Sequence, residues 1–78
     1  MLLQILAEIA ESSQKIIERY NIGKGSRVKF LNDKKVHYVE RVAEDGTTLI
    51  VIYEPTQRVY RKQISRLLEV NGRIVKHG

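Results

Sequence analysis

The sequence predicts a mainly β domain: an N-terminal α-helix followed by a small five-stranded, strongly bent barrel. Apolar residues recur at helical spacing only in residues 2–20. After Gly23 the chain breaks into short apolar runs of strand length, separated by turn residues. One of these runs, Leu49-Ile50-Val51-Ile52, is apolar on both faces and needs cover on each. With a single helix available, barrel interior on one side and the helix stripe on the other supply that cover. A flat sheet of this size would leave two open edges.

The helix is placed over residues 2–20. Leu2, Leu6, Ile9, Ser13, Ile16 and Tyr20 fall three or four apart, and Leu3, Ala10 and Ile17 widen the stripe. Glu8, Glu11, Lys15, Glu18 and Arg19 take the opposite side, with Glu11 and Lys15 at the favoured i,i+4 spacing. The stripe is expected to lie against the barrel beside Leu49–Ile52. Asn21 and Gly23 suit the helix end.

Gly23-Lys24-Gly25-Ser26 reads as a hinge without the spacing of a phosphate-binding Walker loop. Arg27–Leu31 begins the barrel, and Asn32-Asp33-Lys34-Lys35 reads as a turn. Val36–Ala43 is the second strand, Glu44-Asp45-Gly46 the next turn, and Thr47–Tyr53 the third strand. Pro55 breaks the run, since proline cannot donate to a strand ladder. Gln57–Arg61 is the fourth strand, and one tight turn at Ile64-Ser65-Arg66 leads to the fifth at Leu67–Val70. Asn71-Gly72 then signals a type I′ hairpin to a strand at 73–76. Residues 26–70 form the barrel, and all 78 residues one domain.

Composition bounds the function. A 78-residue chain is near the lower limit for a self-sufficient core, and without Cys it has neither disulfides nor Cys-ligated metal. Packing or self-association must supply the rest. Lys+Arg is 14 against 9 for Asp+Glu, a net charge of +5. Residues 1–22 hold three acids and two bases, so the remainder carries +6. A basic domain behind a near-neutral helix suits a polyanion, nucleic acid first, although the same excess also serves solubility. There is no apolar run of membrane-spanning length and no basic leader region ahead of the apolar start. Neither a membrane nor secretion is expected, and the cytoplasm is the default.

Enzyme chemistry is not expected. His37 and His77 lack partners at metal-ligand or triad spacing, and Glu40, Glu44 and Asp45 read as turn and surface charge. No cofactor is implied. What stands out is Gln57-Arg58-Val59-Tyr60-Arg61-Lys62-Gln63-Ile64-Ser65, which sets two cations beside an aromatic ring at a strand end.

That segment resembles the second Sm motif of the Hfq branch of the Sm/Lsm RNA-binding proteins. The motif runs Tyr-Lys-His, a spacer, then an apolar residue and Ser; here Tyr60-Arg61-Lys62, Gln63 and Ile64-Ser65 take those places. Gln57 and Val59 also match, as do Val28–Leu31 as a first strand and Asp45 with Leu49–Ile52 as acidic turn and third strand. The likeness covers about residues 26–68, with 57–65 its specific part.

It implies an SH3-like/Sm-like barrel assembling as a homo-oligomeric ring. Tyr60, Arg61 and Lys62 would then line a pore, with Asp45, Thr47 and Thr48 completing pockets for single-stranded, uridine-rich RNA. The chain departs from the family in lacking the bending glycine within Val36–Ala43 and in having Lys62 where the family has His. The Asn71-Gly72 hairpin also stands where a ring needs a free edge. Two plainer alternatives stay open: a solvated strand end at Tyr60–Lys62, and a monomeric SH3-like barrel of the Tudor or KOW type. The latter would bind proteins or nucleic acid in general.

Overall fold

The computed structural model describes the backbone of residues 2–77 and the side chains of residues 11–77. Helix α1 runs over Leu2–Arg19, and strands follow at β1 (Arg27–Phe30), β2 (Asp33–Val42), β3 (Thr48–Tyr53) and β4 (Arg58–Gln63). A single 3₁₀ turn over Ile64–Arg66 leads to β5 (Leu67–Val70) and β6 (Arg73–Ile74). All pairings are antiparallel, and the sheet order is β4-β3-β2-β1-β5-β6.

The mainly β class and the leading helix are as expected. The five expected strands and the hairpin strand form one six-stranded antiparallel sheet, and it is not closed. The sheet nevertheless curls strongly. β4 and β5 lie four steps apart in the order, about 19 Å if the sheet were flat. Only the turn Ile64–Arg66 joins them, and three residues of 3₁₀ helix rise roughly 6 Å. The two ends of the sheet must therefore come round toward each other.

In the absence of a bending glycine, bulges supply the curvature. Between the Val39–Val51 and Arg41–Ile50 pairs, Glu40 is an extra residue on β2. A larger irregularity lies nearer the hairpin. Between the Val28–His37 and Phe30–Asp33 pairs, β1 has only Lys29 while β2 has Lys34, Lys35 and Val36. The expected turn at Asn32–Lys35 is thus corrected: it tightens to Leu31-Asn32, with Asn32 at φ 61°, and the lysines belong to a bulged strand.

The core joins Ile16, Tyr20 and Ile22 to Val28, Phe30, Val39, Leu49, Val51, Ile64, Leu67, Val70 and Val75. Ser13, Ile16 and Tyr20 of the helix stripe are buried, at the spacing the sequence sets. The expected contacts of Leu2, Leu6 and Ile9 fall outside the described side chains. The cover of β3 is corrected in one respect. Leu49 and Val51 share one cluster with the helix, so helix and sheet interior lie on the same side. Ile50 faces away, between Arg41 and Arg61 in the register, whose aliphatic stems are placed to shield it.

Both helix and hairpin ends follow local chemistry. Asn21 takes φ 50°, and the Ile22 N–H reaches back to the Ile17 carbonyl at 2.9 Å, a Schellman-type end with Asn in place of Gly. Asn71 and Gly72 both have positive φ, as a type I′ turn requires. The Asn71 side chain also accepts from the Arg27 N–H at 2.8 Å, tying the hairpin to β1.

Candidate nucleic-acid interface

Residues alternate faces along a strand, so Tyr60 and Lys62 share one face of β4 while Arg61 projects from the other. Tyr60 is half-buried against the core, and the Lys62 ammonium lies 5.7 Å from its ring centroid. The same ammonium meets the Asp33 carboxylate at 3.3 Å, and that pair is largely shielded from solvent. Arg61 is exposed and has no carboxylate within 4 Å among the described residues.

The strand end brings them together again. An open cleft of about 510 Å³ lies between the β1–β2 hairpin tip and the end of β4. Arg61, Lys62 and Arg66 line it with Asn32, Asp33 and Gln63. Three cations thus meet one carboxylate, and Lys62 already neutralises it. Asn32 and Gln63 add amide donors and acceptors. Arg66 was not singled out from the sequence, because only the 3₁₀ turn carries it to this cleft.

Asp45, Thr47 and Thr48 do something different. The Asp45 carboxylate accepts from the Thr47 N–H at 2.8 Å, the Thr48 N–H at 3.0 Å and the Thr48 hydroxyl at 2.9 Å. These bonds, that from Thr47 first, hold its pKa below the ordinary carboxylate value. The three residues build the turn. Thr47 faces a smaller crevice of about 190 Å³ with Ser13, Gln63 and Ser65, so among the described residues Gln63 alone borders both spaces.

Behind the cleft stands His37, 2% exposed, its ring 6.0 Å from Phe30, 5.7 Å from Tyr53 and 5.8 Å from Tyr60 between centroids. Its Nδ1 has no hydrogen-bond partner among the described residues. β2 turns this side chain inward, into an aromatic nest. His77 lies 2.6 Å through Nε2 from the Leu67 carbonyl.

Burial lowers the His37 pKa from its ordinary 6.5, with nearby Lys62 and Lys35 opposing charge and Asp33 favouring it. Below 6.5 the unfolded chain therefore takes up a proton that the folded chain resists, so stability falls as pH drops through that region. Asp33, lowered chiefly by the Lys35 N–H bond, contributes stability above 3.8 that is lost only in stronger acid. The melting temperature is expected to decline between pH 7 and 5, and His37→Phe to flatten that decline. An unchanged pH slope in the variant would assign the loss to other groups.

No protein-family model matches the chain, and neither a curated protein nor a solved structure matches it. Among the described residues, no helix is long and apolar enough to cross a membrane.

Proposed function

We propose that this chain is a cytoplasmic, Sm/Lsm-like RNA-binding protein of the Hfq type. It assembles as a homo-oligomeric ring and holds single-stranded RNA, uridine-rich by the resemblance, at the end of β4. The basic cleft carries the reading. Arg61, Lys62 and Arg66 converge there with the amides of Asn32 and Gln63, and a positively charged groove is what tracks the backbone of a single strand. The sheet supports self-association, because its two edges are different strands, β4 and β6. Each edge strand has an exposed apolar residue, Val59 at 60% and Ile74 at 63%. Pairing unlike edges is head-to-tail and closes into a ring when the rotation allows.

A monomeric SH3-like module is the second reading, and one observation favours it. β6 already occupies the outer edge of β5, through the Glu69–Ile74 and Val70–Arg73 pairs. Tyr38, Ile52 and Val59, neighbours in the register on the outer face, would then meet a protein partner. Light scattering at low micromolar concentration, followed by titration with oligo-uridine, tests both. The ring reading expects a mass of several chains and binding that weakens steeply with salt. A concentration-independent monomer that ignores RNA at low salt would leave the protein-docking module.

A further inference from the structure

The bulge in β2 has a second effect: it throws Lys34 and Lys35 outward beside two tyrosines. A groove of about 470 Å³ is lined by Arg27, Lys34, Lys35, Tyr38, Tyr53 and Glu54. Its lining is separate from that of the cleft of Arg61 and Lys62, and the two meet in sequence at Asp33 and Lys34. The Lys35 ammonium is 5.0 Å from the Tyr53 ring centroid, and Tyr38 is 37% exposed. Arg27, Lys34 and Lys35 have no carboxylate within 4 Å among the described residues. The groove therefore sets three cations against one acid, Lys35 over the Tyr53 ring and Arg27 and Lys34 without a carboxylate partner among the described residues.

We propose that this groove is a second contact for the same single strand. A base would stack on the exposed Tyr38, and the flanking phosphates would meet Lys34, Lys35 and Arg27. The inference rests on the RNA reading above and extends it. Cations alone would suit any polyanion; the rings narrow the choice, because every base has a face to stack and an acidic peptide need have none. The two sites are also physically joined. Tyr53 and Tyr60 both pack on the buried His37, and each carries a lysine over its ring, Lys35 and Lys62 respectively. A strand leaving the cleft beside Asp33 would enter the groove at Lys34.

The test compares parent chain, Lys34→Ala/Lys35→Ala and Arg61→Ala/Lys62→Ala. Each is titrated with labelled oligo-uridine of roughly 12 nucleotides, within the range one small barrel occupies, across a salt series. Losing two phosphate contacts in the groove should reduce the magnitude of the log–log salt slope by about 1.4. Tyr38→Ala should weaken binding about tenfold, whereas Tyr38→Phe, which keeps the face, should bind as the parent does. All four lysine and tyrosine positions are exposed or half-exposed, and thermal melting checks that each variant folds.

Unchanged affinity and slope in Lys34→Ala/Lys35→Ala, with loss in Arg61→Ala/Lys62→Ala, would overturn the groove and leave the cleft. The converse result would keep the groove and sink the cleft. Competition by an oligo-glutamate peptide, abolished by the same lysine substitutions and untouched by Tyr38→Ala, would make the groove a peptide surface and end the inference. A parent chain that ignores RNA at low salt ends both.

Discussion

Replacing Arg61 and Lys62 together by Ala is expected to remove most of the salt dependence of RNA binding from the cleft. Each phosphate released from a single strand lowers the log–log slope by about 0.7, so every chain that engages the RNA loses about 1.4. In a ring the same loss repeats around the axis, and the summed field falls far more than one chain's +5 suggests. The fold should survive. Arg61 is exposed, and the Lys62–Asp33 pair is one ion pair at the sheet's edge, worth about 1 kcal/mol or less. Asp33 also keeps its bond from the Lys35 N–H at 3.0 Å. Arg66→Ala should weaken binding further, since it closes the third side of the same cleft. Lys24→Ala is the control, because Lys24 is paired with Glu40 outside the cleft. Undiminished binding of oligo-uridine by the double variant would show that the strand-end cations are only a solvated edge.

The fold's outline was legible in the sequence because it rests on local rules. The spacing of Ser13, Ile16 and Tyr20 marks a helix face whatever it packs on. Asn71-Gly72 demands positive φ at two successive residues, which only a few turns use. Pro55 ends β3 for want of an N–H. The bulges were not legible. Nothing in Lys34-Lys35-Val36 says that three residues will oppose one; that follows from where Phe30 and His37 must point to fill the interior. The same limit hid the groove and read both lysines as turn residues. It also made Tyr60, Arg61 and Lys62 look like one patch, although strand alternation splits them and only the strand end reunites them. Asp45 was legible as a turn former, and its carboxylate is spent on that turn. Arg66 carried no signal, because its place depends on the 3₁₀ turn that brings the sheet round.

Tyr20→Ala is expected to have the largest effect on stability. Tyr20 sits where the helix end, the first buried strand and the chain's last turn meet, and it is 7% exposed. Its hydroxyl donates to the Ile74 carbonyl at 3.3 Å and accepts from the Lys76 N–H at 2.9 Å. The Arg73 guanidinium lies 5.2 Å from its ring centroid. One side chain thus pins α1 to β6 across more than fifty residues of sequence, in a sheet whose last strand is only two residues long. Truncating a buried ring of this size costs about 3–5 kcal/mol. A chain of this length has a total stability of roughly 4–12 kcal/mol, so the variant should lie near the folding threshold. Tyr20→Phe separates the two contributions: it keeps the packing, loses the hydroxyl bonds, and should cost about 0.5–1.5 kcal/mol. Urea unfolding midpoints measure both. A Tyr20→Ala unfolding free energy, midpoint times m, within about 1 kcal/mol of the parent's would mean that the sheet holds its own core without the helix. The helix would then be a separable docking element, a second surface for the monomeric reading in addition to Tyr38, Ile52 and Val59.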